Sequence, residues 1–136
     1  MGTWSHEPFG NDGANDWAYG LDEVSDLSLI EQTIDRVLES GAEYLDASDA
    51  EEAIAAVEVV AHLLGRGTQH DSYTKKVQEW ARKVTAKPNP ALRNKARQVL
   101  QRVVSENSEL QELWSESNEA DLWLASIHQL RKALEA

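Results

Sequence analysis

Apolar residues in this chain recur at intervals of three and four over nearly its whole length, and nowhere do they alternate with a period of two for long enough to make a strand. That feature restricts the fold to packed helices. Leu27, Ile30, Ile34, Val37 and Leu38 trace one helix face, opened by Asp26 or Ser28 and stopped by Gly41. Ser48 followed by Glu51 has the spacing of a capping box. Ala53, Ile54, Val57, Val60, Ala61 and Leu64 then run to Gly65 and Gly67 as the most hydrophobic and most central helix. Tyr73, Val77, Trp80, Ala81 and Val84 predict the next helix. Asn89 and Pro90 suit the cap and first turn of another, carrying Leu92, Ala96, Val99, Leu100 and Val103. After Ser108, Leu110, Leu113 and Trp114 form a short face, and a helix restarting at Ser117 carries Leu122, Trp123, Ile127, Leu130 and Leu134. The expected fold is all-α: one domain over residues 1–136, with a short aromatic-rich lead-in (1–21) and a compact bundle of five to six antiparallel helices (22–136).

Charge is distributed less evenly than apolar character. Residues 1–58 carry 15 acids and one base, Arg36; residues 59–102 carry ten bases and two acids; residues 103–136 carry seven acids and two bases, leaving a net charge of -11. Either the basic middle packs beside the acidic ends in weak surface pairs, or the two faces meet different partners. A chain this acidic is repelled by nucleic acid and by anionic lipid. The basic run Lys75, Lys76, Arg82, Lys83, Lys87, Arg93, Lys95, Arg97 and Arg102 around Trp80 is therefore a poor nucleic-acid site. Cysteine is absent, which excludes disulfides, thiolate metal sites and cysteine nucleophiles. The opening residues lack the pattern of a secretory signal, and Gly2 does not fit N-myristoylation because His6 stands where Ser or Thr is needed. The most apolar stretch, Ala53 to Leu64, is broken by Glu58 and His62 and falls far short of the roughly 20 residues that cross a bilayer. A cytoplasmic protein with no membrane partner is expected.

The lead-in is unusual in composition. Trp4, Phe9, Trp17 and Tyr19 crowd into a segment that also holds Gly2, Gly10, Gly13 and Gly20. Trp4 and Phe9 are expected to anchor an extended strap, Asn11 or Asp12 to cap a short helix, and Trp17 and Leu21 to point at the core. Met1-Gly2-Thr3-Trp4, then Pro8-Phe9, then Asn11-Asp12-x-Ala14-x-Asp16-Trp17 resembles the opening of the bacterial family known as domain of unknown function 4259. The likeness is close to about residue 23 and looser, through Glu51-Glu52-Ala53-Ile54-Ala55-Ala56, to about residue 65. Further on, the Trp80 helix and Leu110-x-x-Leu113-Trp114 are similar to the family in character. Ser5 and Glu7 stand where many members carry glycine. The resemblance implies a small all-helical bacterial protein and supplies no catalytic residues.

No constellation in the sequence meets the needs of a known chemistry. Glu58 and His62, four apart, share a helix face, but a carboxylate-bridged dinuclear site needs a second such pair; a partly buried His hydrogen-bonded to Glu58 is expected instead. His6-Glu7 begins like a zincin motif, yet Gly10 occupies the place of the second His. The acids of residues 11–22 miss the spacing of a calcium loop. His70, Asp71 and Ser72 are neighbours in sequence, whereas triad members come from separate elements, so they read as a helix start. Asp12 and Asp16, one turn apart, are explained by capping and the helix dipole. No catalytic, cofactor-binding or metal-binding residue is assigned, and no cofactor is expected.

Protein binding survives this elimination. An acidic helical module is suited to the basic cleft of another protein, the concrete case being an immunity- or antitoxin-like protein that masks a basic toxin such as a nuclease. The expected binding residues are Asp22, Glu23, Asp26, Glu31, Asp35, Glu39, Glu43 and Asp46, with an exposed aromatic such as Tyr44, Trp4 or Tyr19 as anchor. The same acids suit a solvated face. The alternative is a regulatory or scaffold protein that takes a peptide on its basic middle helices.

Overall fold

A computed structural model describes residues 3–135; Met1, Gly2 and Ala136, and with them the first two signature residues, lie outside the described residues. The chain forms α1 (Asp12–Ala18), a 3-10 turn (Tyr19–Glu23), α2 (Ser28–Glu39), α3 (Ala47–Leu63), α4 (Lys75–Lys83), α5 (Pro90–Val103), α6 (Glu109–Ser115) and α7 (Ala120–Leu134). The fold is all-α, with no strand among the described residues. Seven α-helices are present among the described residues: α1 is the short helix expected in the lead-in, and α2 to α7 follow it. Among the described residues no helix is long and apolar enough to cross a membrane.

The bundle is organised around α3. Every residue from Ala53 to Ala61 is buried, and all six other α-helices contact this one. Its many alanines let neighbouring backbones approach from every side, which a helix with a single apolar stripe does not permit. The helix ends in a Schellman turn: Leu64 is the cap, Gly65 takes φ +78°, and the Gly65 and Arg66 N–H groups return to the His62 and Ala61 carbonyls. Its start departs from the capping-box expectation. Asp46 is the cap residue, and Glu109 Oε1 from α6 accepts the Ala47 N–H at 2.8 Å. Elsewhere the cap residues act as their types suggest. Asn11 accepts from Ala14 N–H (2.7 Å) to open α1, and Asn89 accepts from Leu92 N–H (2.8 Å) with Pro90 leading α5. Tyr73, Leu113 and Leu122, expected on buried faces, are exposed. Tyr73 precedes α4 in a turn made by Asp71, and α6 is so short that it buries only Leu110.

Beneath the 65–74 loop lies a closed polar node. Glu58 is fully buried; its carboxylate accepts from Thr68 N–H (2.8 Å), Thr68 Oγ1 (2.7 Å) and Gln69 N–H (2.8 Å). His62 Nε2 sits 2.9 Å from the same carboxylate, in close contact rather than an aligned hydrogen bond, and the ring is more buried than its surroundings in sequence suggest. Gly67 is required by this ring: a Cβ there would fall inside the imidazole. His70 meets His62 edge-on at 5.2 Å between ring centroids. Buried Gln69 extends the node, accepting from Phe9 N–H (2.8 Å) and donating to Asp71 Oδ2 (3.0 Å). One buried carboxylate thus ties α3, the loop and the lead-in together.

Candidate functional site

The lead-in is a strap laid over the core, and its signature residues divide between packing and surface. Phe9 is fully buried, and buried Trp17 donates from Nε1 to Thr33 Oγ1 of α2 at 2.8 Å. Thr3 bridges Asn11, and Trp4 N–H and Ser5 N–H share the Gly10 carbonyl. Gly10 is held to glycine because a Cβ would collide with Ser5. Trp4 corrects the expectation of a packed anchor: it is 47% exposed, with its ring 5.2 Å from that of Tyr73. Asn11, not Asp12, caps α1. Asp12 lies in the first turn, where the helix dipole favours it, but exposed Asp16 lies in the second half of the helix and gains nothing from the dipole.

The acids expected to form one binding face are distributed over three places. At the first, Asp22 pairs with Lys76 (2.8 Å), whose ammonium also lies 4.9 Å from the Tyr19 ring centroid; Glu23 is exposed beside it. Asp26 accepts from the N–H and hydroxyl of Ser28, and these bonds hold its carboxyl below the usual range. The second place is a ridge along α2. Asp35 binds Lys95 of α5 at 2.9 Å, and that bond, reinforced by the fields of Asp35, Glu31 and Glu39, raises the lysine above its ordinary value. Three carboxylates there share one lysine.

The third place is the start of α3, where distant segments converge. The Leu45 N–H donates to the Asn107 carbonyl and the Glu109 N–H to the Leu45 carbonyl, which brings Glu43, Tyr44 and Asp46 beside α6. The Tyr44 hydroxyl donates to Glu112 Oε1 at 2.8 Å; that bond first, then desolvation and the fields of Glu112, Glu109 and Asp46, push the phenol up to about 12. Burial raises Glu51, and the charges of Asp12, Glu109 and Glu52 raise it further, against one long contact from Thr3 Oγ1 at 3.4 Å. Burial likewise raises Glu52, opposed by Arg36 at 3.4 Å. Among the described residues, Arg36, also 3.9 Å from Asp49, is the base that pairs with carboxylates of this group. Glu109, Glu112, Asp12, Asp49, Glu51 and Glu52 are thus part of an acidic face that the sequence pattern assigned to other residues.

Most of the bases have work within the chain. Arg93 and Arg97 donate to the Leu134 carbonyl at the end of α7, and Arg102 reaches the carbonyls of Gly41, Glu43, Glu106 and Asn107. Trp80 donates from Nε1 to the Val24 carbonyl and is buried.

Beside the acidic face, between the strap and α6, a cleft of about 380 Å³ opens. Trp4, Leu110, Leu113 and Trp114 form its apolar walls, and Glu51 and Glu119 are its charged lining residues. Trp114 is backed by Trp123, with ring planes within 6° and centroids 6.1 Å apart. Among the described residues no group of three or more His, Asp or Glu side chains is placed to hold a metal ion.

A family model described as "Domain of unknown function (DUF4259)" matches residues 2–126. No curated protein matches, and no solved structure matches.

Proposed function

Since the chain belongs to the DUF4259 family, whose description carries no activity, we propose from its surface that it works by binding. In this reading it is a cytoplasmic, non-catalytic, immunity- or antitoxin-like module that masks a basic protein. The observation that carries the reading is the gathering of Asp46, Asp49, Glu51, Glu52, Glu109 and Glu112 about Tyr44 and the start of α3, with Arg36 as the contacting cation. Such a face steers a basic partner to it and gives specificity by opposite potential. The alternative, a peptide held on the basic middle helices, is weakened by the self-contacts of Lys76, Lys95, Arg93, Arg97 and Arg102.

Tagged protein used as bait in extract of its own cells, washed at low and high salt, tests the reading. The expected result is a stoichiometric basic protein released at high salt. Its association should slow by roughly tenfold in the Glu43→Lys, Asp46→Lys, Glu112→Lys variant, in which every change is at an exposed position. Association unchanged in that variant but lost on reversal of Lys75, Lys83 and Lys87 would replace the reading with its alternative.

A further inference from the structure

The cleft between Trp4 and α6 narrows the chemistry of the partner; this step rests on the reading above. Its walls are aromatic and aliphatic, its charged lining residues are both carboxylates, and no Lys, Arg or His lines it among the described residues. Leu113 is 55% exposed and Trp4 47%, so apolar surface stands open beside acid. An anion entering would be repelled by Glu51 and Glu119. A neutral apolar group would cover the walls but leave the half-buried Glu51 charge without a partner. A cation on an aliphatic stem meets both demands, because its methylenes cover the walls while its head keeps to the carboxylates.

We infer that this cleft receives an arginine side chain of the basic partner, its stem against Leu113 and Trp114 and its guanidinium toward Glu51 and Glu119. Arginine is favoured over lysine because a planar guanidinium stacks on an indole face while donating in a fork to a carboxylate. The stacked Trp114–Trp123 pair makes the receiving wall rigid before the partner arrives, so little order is lost on binding.

The probe is n-butylguanidinium, compared with its neutral isostere n-butylurea and with n-butylammonium, titrated into ¹⁵N-labelled full-length protein. The indole N–H signals of Trp4 and Trp114 are assigned through Trp4→Phe and Trp114→Phe. The expected result is saturable shifts of these two signals, with the guanidinium bound roughly fivefold more tightly than the urea. The combined Glu51→Gln, Glu119→Gln variant should lose that preference, and exposed Leu113→Ala should weaken all three ligands together. Equal binding of the urea, a preference surviving in the double variant, or no saturation would overturn the inference; tighter binding of the ammonium would replace arginine with lysine. The titration needs no natural partner. A basic protein recovered by the bait with an inert cleft therefore sinks only this inference, and a responsive cleft with no partner recovered sinks only the proposed function.

Discussion

Glu51 and Glu58 stand two turns apart on α3, and the helix withdraws both from open water, yet their surroundings are opposite. Glu58 is fully buried, accepts from two backbone N–H groups and a hydroxyl, and has the His62 ring in contact. Glu51 is half-buried, has one long contact with Thr3, and is raised by three neighbouring carboxylates as well as by burial. The first carboxylate is surrounded by donors and holds a loop. The second is surrounded by like charge and is better served by a proton or by a cation from outside. On one helix, identical side chains thus separate into a structural role and a binding role according to what later segments bring to them.

The largest expected effect lies at the structural end. Glu58→Ala leaves the Thr68 and Gln69 N–H groups and the Thr68 hydroxyl without their partner, a loss of about 3–5 kcal/mol. Denaturant midpoints measure it, and a loss below about 1 kcal/mol, the range of an exposed pair, would erase the distinction between the two carboxylates. Gly67→Ala tests the same node from the loop. The added Cβ forces the His62 ring to move, costing about 1–3 kcal/mol as overpacked sites do. Pairing it with His62→Ala should recover most of that loss, since the colliding ring is gone; an additive double variant would place the strain elsewhere. Thr68→Val removes a single donor and should cost about 1 kcal/mol in the same measurement.

What could be read from the sequence follows the reach of each interaction. Glu58 and His62 are four apart, so their meeting was legible, as were the Asn89 cap and the apolar stripe of α2, all of them local. Thr68 and Gln69 reach Glu58 only because Gly65 turns the chain back, and Gly67, legible as a helix stop, is instead the space that the His62 ring fills. The Ser48–Glu51 spacing misleads for a related reason. Glu109, remote in sequence, takes the Ala47 N–H, so the helix starts earlier and Glu51 is released toward Thr3. Of the surface acids, Glu31, Asp35 and Glu39 were legible as a ridge along one helix, whereas Glu109 and Glu112 join Tyr44 in the acidic face through the pairing of Leu45 with Ser108, which has no local signal. Asp22 and Asp35 look free in sequence because Lys76 and Lys95 arrive from other helices.

The smallest effect is the most diagnostic, because its sign is opposite to the others. Burial and the charges of Asp12, Glu109 and Glu52 raise Glu51 above the ordinary value of 4.5, so between that value and its folded value the native state holds more proton than the unfolded chain. Stability contributed by this group is therefore present below 4.5 and lost as pH rises through the folded value. Glu51→Gln removes the charge and keeps the shape and an acceptor for Thr3. The variant should be more stable than the parent near neutral pH, by less than about 1 kcal/mol because solvent screens a half-exposed group. The gap should narrow toward about pH 4, where the parent carboxyl is mostly protonated in both states. Urea midpoints of the two proteins at both pH values check it. A parent more stable than the variant at neutral pH would mean that Glu51 is compensated within the fold, as Glu58 is, and would leave the cleft without the uncompensated charge that calls for a cation.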